Sequence, residues 1–332
     1  MAQMKYFYEL TISSSPHAHS PVTTQTIMRD VLIALVPALL GSIYFFGFRS
    51  LLVTLVSAAA CVFFEWGFCK ARKLHCKTYD LSAVVTGVLL AFVCPVTIPY
   101  WTIILGDFFA IVLVKMLFGG LGKNIVNPAL AGRAFLFSWP VLMSNWVKVG
   151  FDNAAGLLST ADAVTAATPM SAMHQGALPE ESILDMFLGN IGGCIGETSA
   201  LLLIIGFVYL LYRKVITARI PLAYIGTVAI LAFLFPQGND RIAWMAAQVF
   251  GGGLMLGAIF MATDYVTSPL TKLGQIVYGI GCGIITILIR YFGGYSEGVT
   301  YAILCMNACS VLLDKIGRPV KFGAPKKEAA KK

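Results

Sequence analysis

Nothing constrains this chain more than its repeated long apolar runs, each close to the length of about 20 residues that a helix needs to cross a bilayer. Ten such stretches are separated by polar, Gly- or Pro-containing breaks: 31–48, 51–69, 81–98, 101–118, 128–147, 186–212, 220–236, 242–262, 274–292 and 299–314. Of the 332 residues, 58% are hydrophobic and 12% are Asp, Glu, Lys or Arg, and the mean hydropathy is +0.80. Soluble domains carry about twice that share of charge, so a water-soluble globule is excluded. The expected fold is an all-α polytopic membrane protein of about ten transmembrane helices. No signal peptide is apparent, because the first apolar run begins at Val31 behind a polar stretch.

The basic residues set an orientation, since cytoplasmic connections retain Lys and Arg. With the N-terminus inside, eighteen Lys and Arg fall in inside segments and four outside, namely Arg49, Lys148, Arg241 and Arg290. This predicts both termini in the cytoplasm. The net charge of +8 and the tail with Lys326, Lys327, Lys331 and Lys332 then read as a surface beside anionic lipid rather than a nucleic-acid site. Five spans before the 148–185 loop and five after it force the halves into opposite orientations, the arithmetic of two inverted five-helix repeats. Phe118-Gly119-Gly120 and Phe292-Gly293-Gly294 echo each other at matching positions. The expected organisation is a cytoplasmic segment (1–30), a first membrane repeat (31–147), an extracytoplasmic loop (148–185), a second repeat (186–314) and a basic cytoplasmic tail (315–332).

Ionisable residues within spans are costly and are functional candidates by default. Glu65 and Lys115 lie near the inner helix ends, where snorkelling explains them. Asp107, Arg133 and Glu197 are deeper, and either a structural Arg–carboxylate pair or an ion path accounts for them. Asp80 precedes an apolar run and reads as a helix cap. Asp264 also sits at an inner helix end. Four glycines in the eight residues from Gly189 to Gly196 imply either an unwound stretch or close helix packing. The eight cysteines contain no CxxC pair and read as small packing residues, so no metal site is expected.

The outer loop contains Asp162-Ala163-Val164-Thr165-Ala166-Ala167-Thr168-Pro169-Met170. Pro169 biases Thr168 toward extended backbone, which would present its hydroxyl on an exposed strand-like stretch between small residues. On the residues alone this is a small-residue loop. It matches, however, the flavinylation motif Asp-x-x-Ser/Thr-x-Ala-Thr, and it sits in a chain that resembles the D-subunit family of the Rnf complex, an ion-translocating ferredoxin:NAD oxidoreductase. The resemblance is more distant to the B subunit of sodium-translocating NADH:quinone reductase, whose extended N-terminal arm is missing here. It runs through Ser15-Pro16-His17, Gly120-Leu121-Gly122-Lys123-Asn124, Asn127-Pro128-Ala129, Gly132-Arg133 and Ile195-Gly196-Glu197-Thr198-Ser199. It continues through the segment from Gly257 to Asp264, Val266-Thr267-Ser268-Pro269, Glu297-Gly298, Ala302-Ile303-Leu304 and Met306-Asn307.

The resemblance implies that Thr168 bears FMN through a phosphoester bond, with Asp162, Thr165 and Ala167 as the recognition motif of a flavin transferase. It implies a fold similar to urea-transporter-like inverted repeats, and an acceptor facing outside the cytoplasm, where the charge count also places it. It implies further Rnf subunits as partners, sodium or proton as the translocated ion, and no catalytic residue acting alone. It allows a second, non-covalent flavin such as riboflavin, which no residue of the sequence places. Glu197, Asp107 and Arg133 are the candidates for the ion path. Two other classes compete: a passive channel or solute transporter, which has no use for the motif, and a structural scaffold, which would carry the motif without flavin.

Overall fold

A computed structural model describes residues 22–73, 78–143, 145–147, 168–179, 181–197, 199–238 and 240–317. Asp162, Thr165, Ala167, the Ser15-Pro16-His17 stretch and the basic tail beyond residue 317 lie outside these. Among the described residues the regular structure is helical. Large apolar side chains such as Tyr44, Phe63, Leu222, Phe292 and Val311 cover the outside, while Asp30, Arg49, Glu65, Asp107, Lys115, Arg133, Glu197 and Arg290 are buried inside. Apolar groups outside and charged groups within is what lipid as solvent selects; this is a polytopic membrane protein.

Three helices are long and apolar enough to cross a membrane unaided: α1 (Thr24–Phe46), α2 (Phe48–Ala71) and α13 (Lys272–Phe292). The first begins seven residues before its apolar run because Thr23 and Thr26 form a reciprocal capping box. It thereby carries Asp30 into the helix, where it pairs with Arg213 at 3.1 Å. The shorter apolar helices are α3 (Ser82–Phe92), α9 (Ala200–Tyr212), α10 (Arg219–Leu234) and α14 (Val299–Leu313). Between them lie α4 (Tyr100–Phe108), which runs on as π-helix to Met116, α5 (Pro128–Leu136) and a single turn, α6 (Pro140–Met143). Between α6 and α9 lie α7 (Pro169–His174) and α8 (Ile183–Leu188). α11 (Arg241–Phe250) and α12 (Leu254–Leu256, continuing as π-helix to Met261) form a pair bent by 58°.

Four runs that read as continuous spans are therefore interrupted. The 81–98 run is helical only to Phe92 and then passes through Pro95 and Pro99 in irregular form. The 128–147 run stops at Leu136 ahead of Pro140, whose ring and missing N–H disfavour an uninterrupted helix. The 242–262 run bends at Gly251–Gly253. The 186–212 run opens on α8, ends it at Gly189 in the left-handed region (φ 105°), and re-enters helix only at Ala200.

Unwound backbone at membrane depth must find partners inside the protein, and two of these breaks supply each other. The carbonyls of Phe92 and Cys94 accept from the N–H groups of Gly196 (2.9 Å) and Ile195 (3.0 Å), and that of Val93 from the Cys194 thiol (3.3 Å). Arg49 completes the set, donating to the carbonyls of Val96 (2.8 Å) and Ile98 (3.2 Å) with its guanidinium over the Tyr100 ring. Arg290 does the same at the 58° bend, donating to Gln248 O (2.6 Å) and Gln248 Oε1 (2.8 Å). Both arginines, assigned to outer connections by the sequence, are buried braces of broken helices.

Gly196 is where the two unwound segments touch most closely: a Cβ there would overlap the Phe92 side chain. Gly196→Ala is expected to destabilise the protein by about 1–3 kcal/mol from overpacking alone, and further through the strained hydrogen bond to Phe92. Gly226→Ala, in α10 with open space around the added methyl, is the control and should leave thermal unfolding in detergent unchanged or slightly raised.

Candidate functional site

Thr168 stands at the N-cap of α7 with φ −83° and ψ 151°, the extended backbone that Pro169 imposes. Its Oγ1 accepts from Ser171 N–H at 3.3 Å. The expected exposure is not found: Thr168 is 8% exposed, because Met170 and Met173 of α7 anchor the turn in the core. It borders a narrow cleft lined by Met170, Ile191, Gly192, Gly193, Glu197, Gly252 and Glu297.

A buried charge cluster opens onto this cleft. Arg133, from α5, donates through Nη1 to Glu197 at 3.0 Å and through Nη2 to Glu297 at 2.6 Å. The same Nη2 lies 3.6 Å from Cys194 Sγ. Cys194, Glu197 and Glu297 bring their ligand-type atoms within 4.8 Å of one another, and the cation they surround is the Arg133 guanidinium. Among the described residues, Arg133 Nε and Glu197 Oε2 are buried with no hydrogen-bond partner. The guanidinium also stands 5.4 Å from the Phe137 ring, which packs against Tyr295 and Tyr301. One side chain from the first half thus ties the unwound stretch and the α13–α14 connection of the second.

Of the sequence candidates, the structure brings Arg133, Glu197 and Thr168 to one place and leaves Asp107 elsewhere, on α4 against Ser57 (2.7 Å) and Cys61 (3.2 Å) of α2. Glu65 and Lys115 do not snorkel. They form a buried pair at 3.0 Å, with Lys115 Nζ also donating to Ser82 Oγ at 2.7 Å, since each meets its opposite charge between helices before it can reach the surface. Asp80 stands one residue before the N-cap of α3, which is Leu81, and its Oδ1 accepts from Ser82 N–H at 2.9 Å. Sequence reasoning missed Glu297, which lies in a connection rather than a span. Its signal was the Glu297-Gly298 pair beside Phe292-Gly293-Gly294.

A flavin linked at Thr168 would stand at the mouth of this cleft, beside Glu197 and Glu297. Thr168 lines the cleft, and Gly252 (φ 66°) packs closely under it, where a Cβ would meet Met170. The aromatic group of Phe137, Tyr295 and Tyr301 borders the same cluster through Arg133. The cleft has room for little more than a water molecule, far below what a ligand pocket offers, so it would mark a point of attachment and not a site for the whole cofactor.

Comparison with known proteins places this architecture. Residues 11–323 match the NQR2, RnfD, RnfE family. The chain is 46% identical to the D subunit of the Na(+)-translocating ferredoxin:NAD(+) oxidoreductase complex of Acetobacterium woodii, over 96% of each chain. It is 44% identical to the proton-translocating counterpart of Clostridium ljungdahlii, over 94% of this chain and 96% of that one. It is 36% identical to the D subunit of the ion-translocating oxidoreductase complex of Halorhodospira halophila, over 93% and 94%. With a match along nearly its whole length and relatives at this level of identity, the chain belongs to the NQR2, RnfD, RnfE family.

Proposed function

We propose that this protein is the D subunit of an Rnf-type ion-translocating ferredoxin:NAD oxidoreductase, a membrane subunit that relays electrons with FMN held covalently on Thr168 and contributes to sodium or proton translocation. The observation that carries the reading is the meeting at one cleft of Thr168, the acceptor of an Asp-x-x-Thr-x-Ala-Thr motif, with the Arg133–Glu197–Glu297 cluster that ties the halves. Bound FMN would supply one- and two-electron chemistry, with its electronics tuned by the protein. The chain's own part is to hold the cofactor at fixed effective concentration and to keep charge of both signs next to it. Arg133 and Glu197, the coupling candidates here, are placed to respond when charge near Thr168 changes.

The topology proposed with it is ten spans in two inverted five-helix repeats, 31–147 and 186–314, joined by an extracytoplasmic loop, 148–185, with both termini cytoplasmic. Packing supports the repeat: α2 packs on α3 and α4, and its counterpart α10 packs on α11 and α13, while α1 and α9 pack on each other. The burial of Arg49 and Arg290 leaves still fewer basic residues on the outer surface. Partners in this reading are the other Rnf subunits, a flavin transferase acting on Thr168 with Asp162, Thr165 and Ala167, and the translocated ion. A second flavin, riboflavin or a relative, belongs to the same proposal without assigned residues.

The test uses the whole complex in proteoliposomes. Thr168→Val should abolish ferredoxin-dependent NAD reduction while the subunits still co-purify. Glu197→Gln should lower ion uptake per electron transferred more than it lowers assembly, and an unchanged uptake-to-electron ratio would remove Glu197 from the coupling path. A passive channel or transporter would instead show solute flux indifferent to Thr168→Val.

A further inference from the structure

The first half contains a buried carboxyl that the flavin-side cluster does not use. Asp107 is fully buried on α4, at the point where the helix widens into the π segment Phe109–Met116. Its Oδ1 contacts Ser57 Oγ at 2.7 Å and Cys61 Sγ at 3.2 Å, and among the described residues its Oδ2 has no partner. A buried carboxylate would need a cation or several donors. The elements packed on α4 are α2, α3, α5 and its own π extension. From α2 come Ser57, Cys61 and, further along, Glu65; α3 (Ser82–Phe92) carries no ionisable side chain. The π segment offers Lys115, committed to Glu65 and Ser82, and α5 offers Arg133, committed to Glu197 and Glu297.

The hydroxyl of Ser57 settles the accounting. Its Oγ lies 2.7 Å from Asp107 Oδ1 and 2.8 Å from the carbonyl of Gly87, yet a serine has one proton to donate. A single proton shared between two acceptors would leave both bonds weak; each is a full hydrogen bond when Asp107 carries a proton on Oδ1 and donates it to Ser57, which then donates to Gly87 O. In the ionised state the Ser57 proton turns to Asp107, and the Gly87 contact loses its donor.

We propose that Asp107 is a proton-binding site within the membrane, neutral at rest, with Ser57 as the hydroxyl that reorients when the proton leaves. The release step balances simply: the Asp107 O–H bond breaks, the carboxylate remains, and Ser57 O–H swings from Gly87 O to Oδ1. The released proton passes to water; the nearest wide cavity along α2 is the one lined by Glu65, Cys69, Tyr79 and Asp80. The site itself stands on the hydrogen-bond geometry, while its part in ion movement rests on the translocase reading.

Infrared spectra of the purified complex at neutral pH, in water and deuterium oxide, test the site without reference to pumping. The carbonyl stretch of a protonated, deuterium-sensitive carboxyl is expected in the native chain and lost in Asp107→Asn. Ser57→Ala, which removes the acceptor and suits a complex that fails to assemble with Asp107→Asn, should shift the same band to higher frequency. A carboxyl region identical in native and Asp107→Asn protein, or unmoved by Ser57→Ala, overturns the assignment. A band that behaves as expected in a complex whose ion uptake is unaffected by Asp107→Asn keeps the proton site and overturns its part in translocation.

Discussion

Arg133→Leu is expected to destabilise this protein by about 3–5 kcal/mol, the cost of leaving buried charge without its partner. Two carboxylates lose their shared cation at once: Glu197, buried, and Glu297, 14% exposed at the side chain. Cys194 loses its guanidinium contact as well. The chain can respond by protonating one carboxyl, by admitting water along the Thr168 cleft, or by letting the unwound stretch separate from α5. Each response loosens the junction of the two halves. The triple variant Arg133→Leu, Glu197→Gln, Glu297→Gln removes charge of both signs together and should recover much of the loss, since replacing a whole buried ion cluster is far less damaging than breaking it. Thermal unfolding in detergent measures both. A triple variant no more stable than Arg133→Leu would show that the cluster matters through its shape and not its charge.

The same cluster shows what a sequence of this kind reveals and what it withholds. Arg133 and Glu197 stand out on paper because charge within an apolar run is costly wherever the run folds. That Glu297 shares their guanidinium is not visible, because it is 164 residues from Arg133 and no periodicity links a loop to a helix. Glu65 and Lys115 misled for a related reason: fifty residues apart, each taken alone has an easier route to the surface. The unwound stretches were half legible. Glycine density marked the 189–196 region, but only the pairing of Ile195 and Gly196 with the carbonyls of Cys94 and Phe92, at and just past the end of α3, explains why an open backbone survives there. Thr168 divides the same way. Its extended conformation is local, dictated by Pro169, and was readable; its burial depends on where Met170 and Met173 pack, which is a tertiary fact.

Thr168→Val carries the other large expected effect, and the substitution is close to isosteric. Valine keeps the β-branch and volume while removing the one atom able to form the phosphoester. The cap bond to Ser171 N–H goes with it, a loss of about 0.5–2 kcal/mol that should leave the protein folded. Thr168→Ser keeps a hydroxyl at the same place and separates loss of the acceptor from disturbance of α7. In the complex these variants should divide cleanly, with valine inactive in electron relay and serine retaining whatever fraction the transferase accepts.

The most direct test of the central claim is flavin fluorescence of the fully denatured chain under ultraviolet light, after co-expression with a flavin transferase. A fluorescent band at the mass of this chain, present in the native protein and absent in Thr168→Val, is the predicted result. A native chain with no fluorescence, or a band that survives Thr168→Val, would contradict it: the first would leave a membrane protein whose motif bears no flavin, and the second would move the attachment to another residue.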